Sequence, residues 1–131
     1  MDAPSNNDTA TLRADLEFWR DLAGGDDDAA RDLLTLYLED TSAQISLMVS
    51  GLTAGSADQV SRAAHACAGS SSTCGVDALA ELLRRLEQQA LNKRLDELSD
   101  TLPLIIQTFD QVHARLTKTI AASSGLIQEH P

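Results

Sequence analysis

The sequence has few aromatic residues, few prolines and little positive charge, and each shortage narrows the kinds of protein it can be. Aromatic residues make up 3% of the 131 residues, so the core must consist mainly of Leu, Ile, Val and Ala. Three prolines leave long stretches free to form helices. The chain contains 10 Lys and Arg residues and 20 Asp and Glu residues, which gives a net charge of −10. This charge argues against nucleic acid or an anionic membrane as partner, because few positive side chains are present to neutralise the phosphates.

Long apolar runs and a basic leader are also missing. The first eight residues contain no Lys, no Arg and no apolar run, so we expect no signal peptide, and no stretch approaches the length of a membrane span. The two cysteines, Cys67 and Cys74, are two helical turns apart, about 10 Å along the axis, which is too far for a disulfide within one helix. We therefore expect two reduced core thiols in a cytoplasmic protein, without a zinc site.

Apolar residues recur every three or four positions along most of the chain, and no strand pattern is visible. We predict helices over residues 8–23, 27–53, 57–74, 76–91 and 95–122. Short connections between the last four favour antiparallel neighbours. The sequence therefore predicts an all-α fold, an antiparallel four-helix bundle with an additional short N-terminal helix, over residues 8–122. Residues 1–7 are predicted to be disordered and residues 123–131 to form a flexible tail.

Local signals mark the predicted helix ends. Ser56 followed by Gln59 is typical of a capping box, and Gly75 suits the left-handed position after a last turn. The aspartates of residues 26–28 indicate another helix start; a cation site is the alternative, but no loop of oxygen ligands surrounds them. Pro103 lies inside the last apolar pattern, which predicts either a kink or a break after which the helix restarts.

One histidine, His65, stands among small residues in the predicted central helix. On a helical wheel five residues fall within about 60° of it, namely Ser61, Arg62, Ala68, Gly69 and Ser72. The opposite face suits close helix packing and carries Ala63, Cys67, Ser70 and Cys74. Gly69 costs about 1 kcal/mol of helix stability relative to alanine, so we interpret it as leaving room for a second macromolecule beside His65. An ordinary solvated histidine is the alternative.

The spacing around His65 resembles the signature of the histidine-containing phosphotransfer (HPt) domains of bacterial and fungal phosphorelays. The residues that carry this resemblance are His65, Gly69, Ser70, Ser71 and Gly75, with Ala64 before them and Leu79, Leu83, Leu86 and Glu87 in the next helix. The resemblance covers about residues 12–116, and its specific part is confined to residues 61–87. It implies a helical bundle in which His65 accepts a phosphoryl group.

The resemblance also implies roles for the residues near His65. Family members have Gln or Glu twenty-two residues after the histidine, here Glu87, which would accept a hydrogen bond from Nδ1–H and leave Nε2 as the nucleophile. A solvated Glu87 is the alternative. The family commonly has a lysine three residues after the histidine, where this chain has Ala68; Arg62 either replaces that charge or is simply solvated. Ser61, Ala68 and Ser72 are expected to form the surface that docks a receiver domain.

The predicted function is that of a phosphorelay intermediate. His65 would take a phosphoryl group from a receiver-domain aspartate and pass it to another response regulator, and a hybrid sensor histidine kinase is expected upstream. No P-loop or kinase nucleotide site is visible, so we expect no kinase activity and no cofactor, with Mg²⁺ only in the partner receiver domain. The alternative is a docking module that binds a receiver or kinase without transferring phosphate. We expect a monomer, and no role for His113 or His130.

Overall fold

The computed structural model describes the backbone of residues 16–128 and the side chains of residues 17–121. In this range the chain forms five helices: α1 (Leu16–Leu22), α2 (Asp27–Thr53), α3 (Ala57–Thr73), α4 (Asp77–Leu91) and α5 (Leu95–Gln128). The last four form an antiparallel bundle, and α1 packs on α2, as the sequence predicts. Residues 1–7 and the predicted helical residues 8–15 lie outside the described part.

Short-range hydrogen bonds determine where the helices begin. The Asp26 carboxylate accepts from the backbone N–H groups of Asp28, at 2.9 Å, and Ala29, at 3.3 Å, so this acidic run caps α2. Ser56 Oγ accepts from Gln59 N at 3.2 Å at the start of α3. The reciprocal half of the capping box does not form, because Ser56 N donates to Gly51 O at 2.7 Å, while Gln59 Nε2 donates to Leu47 O and Ser50 Oγ of α2, at 2.9 and 2.8 Å.

Three tight reversals join the bundle helices. Each has a residue with positive φ just past the helix end: Gly55 at 71°, Gly75 at 79° and Lys93 at 58°. The following N–H then donates to a carbonyl five residues earlier, as in Val76 N to Ser71 O at 2.8 Å. These reversals hold consecutive helices antiparallel, and Gly75 occupies the left-handed position that the sequence predicts.

We expect Lys93→Gly to raise the free energy of unfolding by about 0.5–1 kcal/mol, because a side chain at this positive φ is strained and glycine is not. Thermal or urea unfolding monitored by circular dichroism measures the change. The matched control is Asn92→Gly, where φ is −88° and no strain would be relieved. A Lys93→Gly variant no more stable than the native protein would contradict the expectation.

The core is built mainly from aliphatic side chains, as the composition predicts. The largest fully buried apolar residues are Trp19, Leu34, Met48, Leu79, Leu83, Leu86, Leu98, Ile105, Leu116, Val60 and Val76. Trp19 contacts the ring of Tyr37, with 6.0 Å between ring centroids, and this contact seats α1 on α2. The Tyr37 hydroxyl is hydrogen-bonded to Ser71 Oγ at 2.7 Å, which ties α2 to α3 inside the core.

Cys67 and Cys74 are free and buried, which confirms the expectation of reduced core thiols. Burial raises the pKa of each thiol to about 11. At neutral pH neither forms the thiolate that reacts as a nucleophile or binds metals, so both act as small apolar packing groups.

Helix α5 differs from expectation in two places. It is continuous through Pro103, so the predicted break and restart is wrong. Proline removes only one backbone hydrogen bond, and buried Thr101, Leu102 and Ile105 hold the flanking turns against the core. The helix also continues to Gln128, where the sequence predicts a flexible tail from residue 123. Within residues 16–128, no helix combines the length and apolar character that crossing a bilayer requires.

Candidate functional site

His65 lies on the outer surface of α3 and is paired with Glu87 of α4. The Nδ1 and Oε2 atoms are 2.9 Å apart. The His65 side chain is 78% exposed, whereas the Glu87 side chain is 20% exposed. A carboxylate only accepts hydrogen bonds, so this geometry assigns the proton to Nδ1 and leaves the Nε2 lone pair facing solvent. The sequence prediction that Glu87 reaches the histidine agrees with this geometry, and the solvated alternative does not.

Rigid helices hold both members of the pair. The reversal at residues 74–76 sets α3 and α4 antiparallel, which brings positions 65 and 87 to the same height. Ala64 and Ala68 anchor the α3 side, and Leu83 and Leu86 anchor the α4 side, all at or near zero exposure. The imidazole is therefore presented on a fixed scaffold rather than on a loop.

Gly69 leaves the surface beside His65 open. It is exposed and stands one turn after His65, and a Cβ built on it would meet nothing within 4 Å. The expected clearance is therefore present. No packing requirement explains a glycine here, because a methyl group would fit without contact.

Arg62 lies on the exposed side of α3, one turn before His65. Its side chain is 80% exposed and its guanidinium pairs with Asp58 Oδ2 at 3.0 Å. Together with Gln44 and Leu47 of α2 it lines a surface cleft of about 380 Å³. An exposed i,i+4 pair contributes little stability, so Arg62 can exchange Asp58 for a stronger anion at small cost.

The predicted docking surface is wrong in two of its three residues. Ser61 and Ala68 are buried, at 7% and 3% exposure, and Ser72 is half-buried. The helical wheel placed His65 at the centre of the exposed face of α3. In the structure His65 lies at the edge of that face, on the side nearest Glu87 of α4. Residues turned from His65 towards α4 are covered by that helix, while those turned the other way are exposed: Arg62, Ala66, Gly69 and Thr73.

The second histidine of the described region is remote from this pair. His113 lies on α5, where Nδ1 is 3.3 Å from Thr117 Oγ1 and the ring contacts Phe109. Among residues 17–121, no group of three or more His, Cys, Asp or Glu side chains forms a metal-binding cluster. His130 lies outside the described residues.

Comparisons with known proteins agree with this architecture. The sequence model of the Hpt domain family matches residues 32–121, which is more than half of the chain. The fold is similar to the crystal structure of histidine-containing phosphotransfer protein B (HptB) from Pseudomonas aeruginosa PAO1, with a TM-score of 0.76 and 22% sequence identity over 83% of this chain and 95% of that one. Comparison with curated proteins gives no match.

Proposed function

The chain belongs to the Hpt domain family, whose members are phosphotransfer intermediates in phosphorelays, and we propose from this that His65 accepts a phosphoryl group from a receiver-domain aspartate and passes it to another response regulator. The observation that carries the proposal is the pairing of an exposed His65 with the Glu87 carboxylate at 2.9 Å. It supplies an imidazole with a defined tautomer and an accessible nitrogen.

In the proposed step the Nε2 lone pair attacks the phosphorus of an aspartyl phosphate. The N–P bond forms, the bond between phosphorus and the aspartate oxygen breaks, and the aspartate leaves as a carboxylate. The ring keeps its Nδ1 proton and becomes cationic, and the Glu87 carboxylate stabilises that charge. Attack by a second receiver aspartate on the phosphohistidine reverses these changes.

The receiver domain supplies the rest of the chemistry in this proposal. Phosphoryl transfer depends on positioning and on neutralising charge, and the receiver's Mg²⁺ and lysine provide both, so this chain is proposed to need no cofactor and to have no kinase activity of its own. A hybrid sensor histidine kinase is the proposed upstream partner. The exposed residues Arg62, Ala66, Gly69 and Thr73 form the proposed docking surface in place of the one expected from the wheel.

The test is transfer from a phosphorylated receiver to the purified protein. We expect label on this chain that is lost in acid and stable in base, as for a phosphohistidine. Repeating the reaction with EDTA added before or after transfer separates the receiver's Mg²⁺ from this chain. Transfer should stop in the first case, and the phosphohistidine already formed should persist in the second.

A docking module without transfer is the second candidate, and Ala68 favours it because the family's lysine is missing there. Binding of receivers, measured by titration calorimetry, without any transfer from the same phosphorylated receivers would establish this function instead.

We expect Glu87→Ala to slow transfer about tenfold, because the Nδ1 proton then loses its acceptor and the tautomer is no longer fixed. Glu87→Gln, which keeps an oxygen acceptor, should retain most of the rate and is the matched control. Single-turnover transfer gives the rates, and ¹⁵N chemical shifts of His65 give the tautomer. Equal rates for the native protein and Glu87→Ala would show that the carboxylate is not needed.

A further inference from the structure

The phosphoryl group proposed to form on His65 lies beside a helix position that carries no cation, because position 68 is alanine. We infer that Arg84, on the neighbouring helix α4, supplies that positive charge by binding the phosphoryl oxygens. This inference rests on the proposed function and adds to it a phosphoryl-binding residue.

The first argument is the register of α3 against α4. His65 and Glu87 are in contact, so they lie at the same height in this antiparallel pair. Three residues later on α3 is Ala68, and three residues earlier on α4 is Arg84. The two therefore share a height, about 4.5 Å along the axis from His65. The Cα atom of Arg84 therefore lies at about the same height along the bundle as the Cα atom of a lysine at position 68 would.

The second argument is the face of α4 on which Arg84 stands. On a helical wheel it is turned about 60° from Glu87, towards solvent, and it is exposed. Leu83, Leu86 and Ala90 are turned to the opposite side of Glu87, and they are buried. Arg84 therefore lies on the outer rim of the α3–α4 junction, the same rim on which His65 presents its Nε2.

The third argument is the open space between Arg84 and His65. Ala68 is buried, with 3% exposure, and does not rise above the surface. Gly69 has no side chain and open space around its Cβ position. A long arginine side chain can therefore cross the junction towards His65 without displacing another group.

The fourth argument is charge. The other exposed charged residues of α3 and α4 are Asp58, Arg62, Glu81 and Arg85, while Asp77 and Glu87 are half-buried. Glu87 is paired with His65, and Arg62 is paired with Asp58 in an exposed contact that it would have to give up to bind the phosphoryl group. In the part of the chain that the structure describes, Arg84 has neither an ion pair nor a hydrogen bond. Its guanidinium is thus available for two parallel hydrogen bonds to a phosphoryl dianion.

The test uses phosphoramidate, a small phosphodonor that phosphorylates histidine without a receiver. Native protein, Arg84→Ala, Arg84→Lys and the control Arg85→Ala are each phosphorylated and their phosphohistidine is followed by ³¹P NMR. Arg85 is the neighbouring arginine, also exposed and turned about 100° further round the helix. Circular dichroism checks that all four proteins are folded alike.

Arg84→Ala should raise the apparent pKa of the phosphoryl group, because a cation that favours the dianion is lost, while Arg84→Lys and Arg85→Ala should leave it near the native value. In transfer from a phosphorylated receiver, the equilibrium share of label on His65 should fall about three- to tenfold for Arg84→Ala alone. The inference would be overturned if the phosphoryl group had the same pKa in Arg84→Ala as in the native protein, or if Arg85→Ala shifted that pKa equally.

This design separates the inference from the proposed function. If the receiver never transfers but the phosphoramidate product shows the Arg84-specific pKa shift, the phosphoryl-binding role stands and the relay role fails. If the receiver transfers equally well to native protein and Arg84→Ala and the pKa does not shift, the relay role stands and Arg84 has no part in it.

Discussion

Replacing His65 with glutamine should abolish phosphoryl transfer completely while leaving the fold and receiver binding intact. The glutamine amide nitrogen carries no basic lone pair, so no N–P bond can form, whereas its size and polarity suit the same exposed position. The measurement is transfer of labelled phosphate from a phosphorylated receiver, with receiver affinity determined in parallel by titration calorimetry.

His113→Gln is the matched control for this variant. His113 is also an exposed helical histidine, but it lies on α5 away from Glu87. The control should accept phosphate at the native rate. Label on His65→Gln would assign the phosphoacceptor to another residue, and loss of receiver binding would mean that His65 is needed for docking as well as for chemistry.

Adding a side chain at position 69 should both slow phosphoryl transfer and raise the free energy of unfolding. A side chain there meets nothing in the free protein, so Gly69→Ala is expected to raise the free energy of unfolding by up to about 1 kcal/mol through helix propensity alone. Gly69→Gln should give a similar but smaller gain. In a complex, however, the glutamine side chain would stand between the receiver and His65, and transfer should fall about 10- to 100-fold, because misplacement by about 1 Å is that costly.

The measurements are urea unfolding and single-turnover transfer on the same variants. Ala114→Gln, at an exposed position of α5, controls for adding a glutamine to a helix surface and should transfer at the native rate. Native transfer by Gly69→Gln would show that the receiver does not pass over this part of α3. A destabilised Gly69→Ala would contradict the open space seen there.

Much of the fold follows from the sequence because helix ends depend on residues three to five positions apart. Ser56 caps α3 through Gln59 N, and Gly75 takes the left-handed conformation, as expected. The second helix spans Asp27–Thr53, the predicted range. Pro103 shows where such local reasoning fails, since packing of its neighbours keeps α5 continuous. Gln59 shows the same, because its side-chain amide donates to Leu47 O and Ser50 Oγ of α2 instead of completing the cap at Ser56.

For the site, the sequence by itself determined which residues meet and the tertiary structure decided which surface they face. The resemblance to the family placed Glu87 opposite His65, and a short reversal at Gly75 fixes the register of α3 on α4 in which the two side chains meet. A helical wheel, in contrast, gives only the relative directions of the side chains, and which of them are exposed depends on where the neighbouring helices pack. The packing of α3 against its neighbours buries Ser61 and Ala68 and leaves Ala66 and Thr73 exposed. Those assignments depend on contacts between helices, which no local pattern encodes.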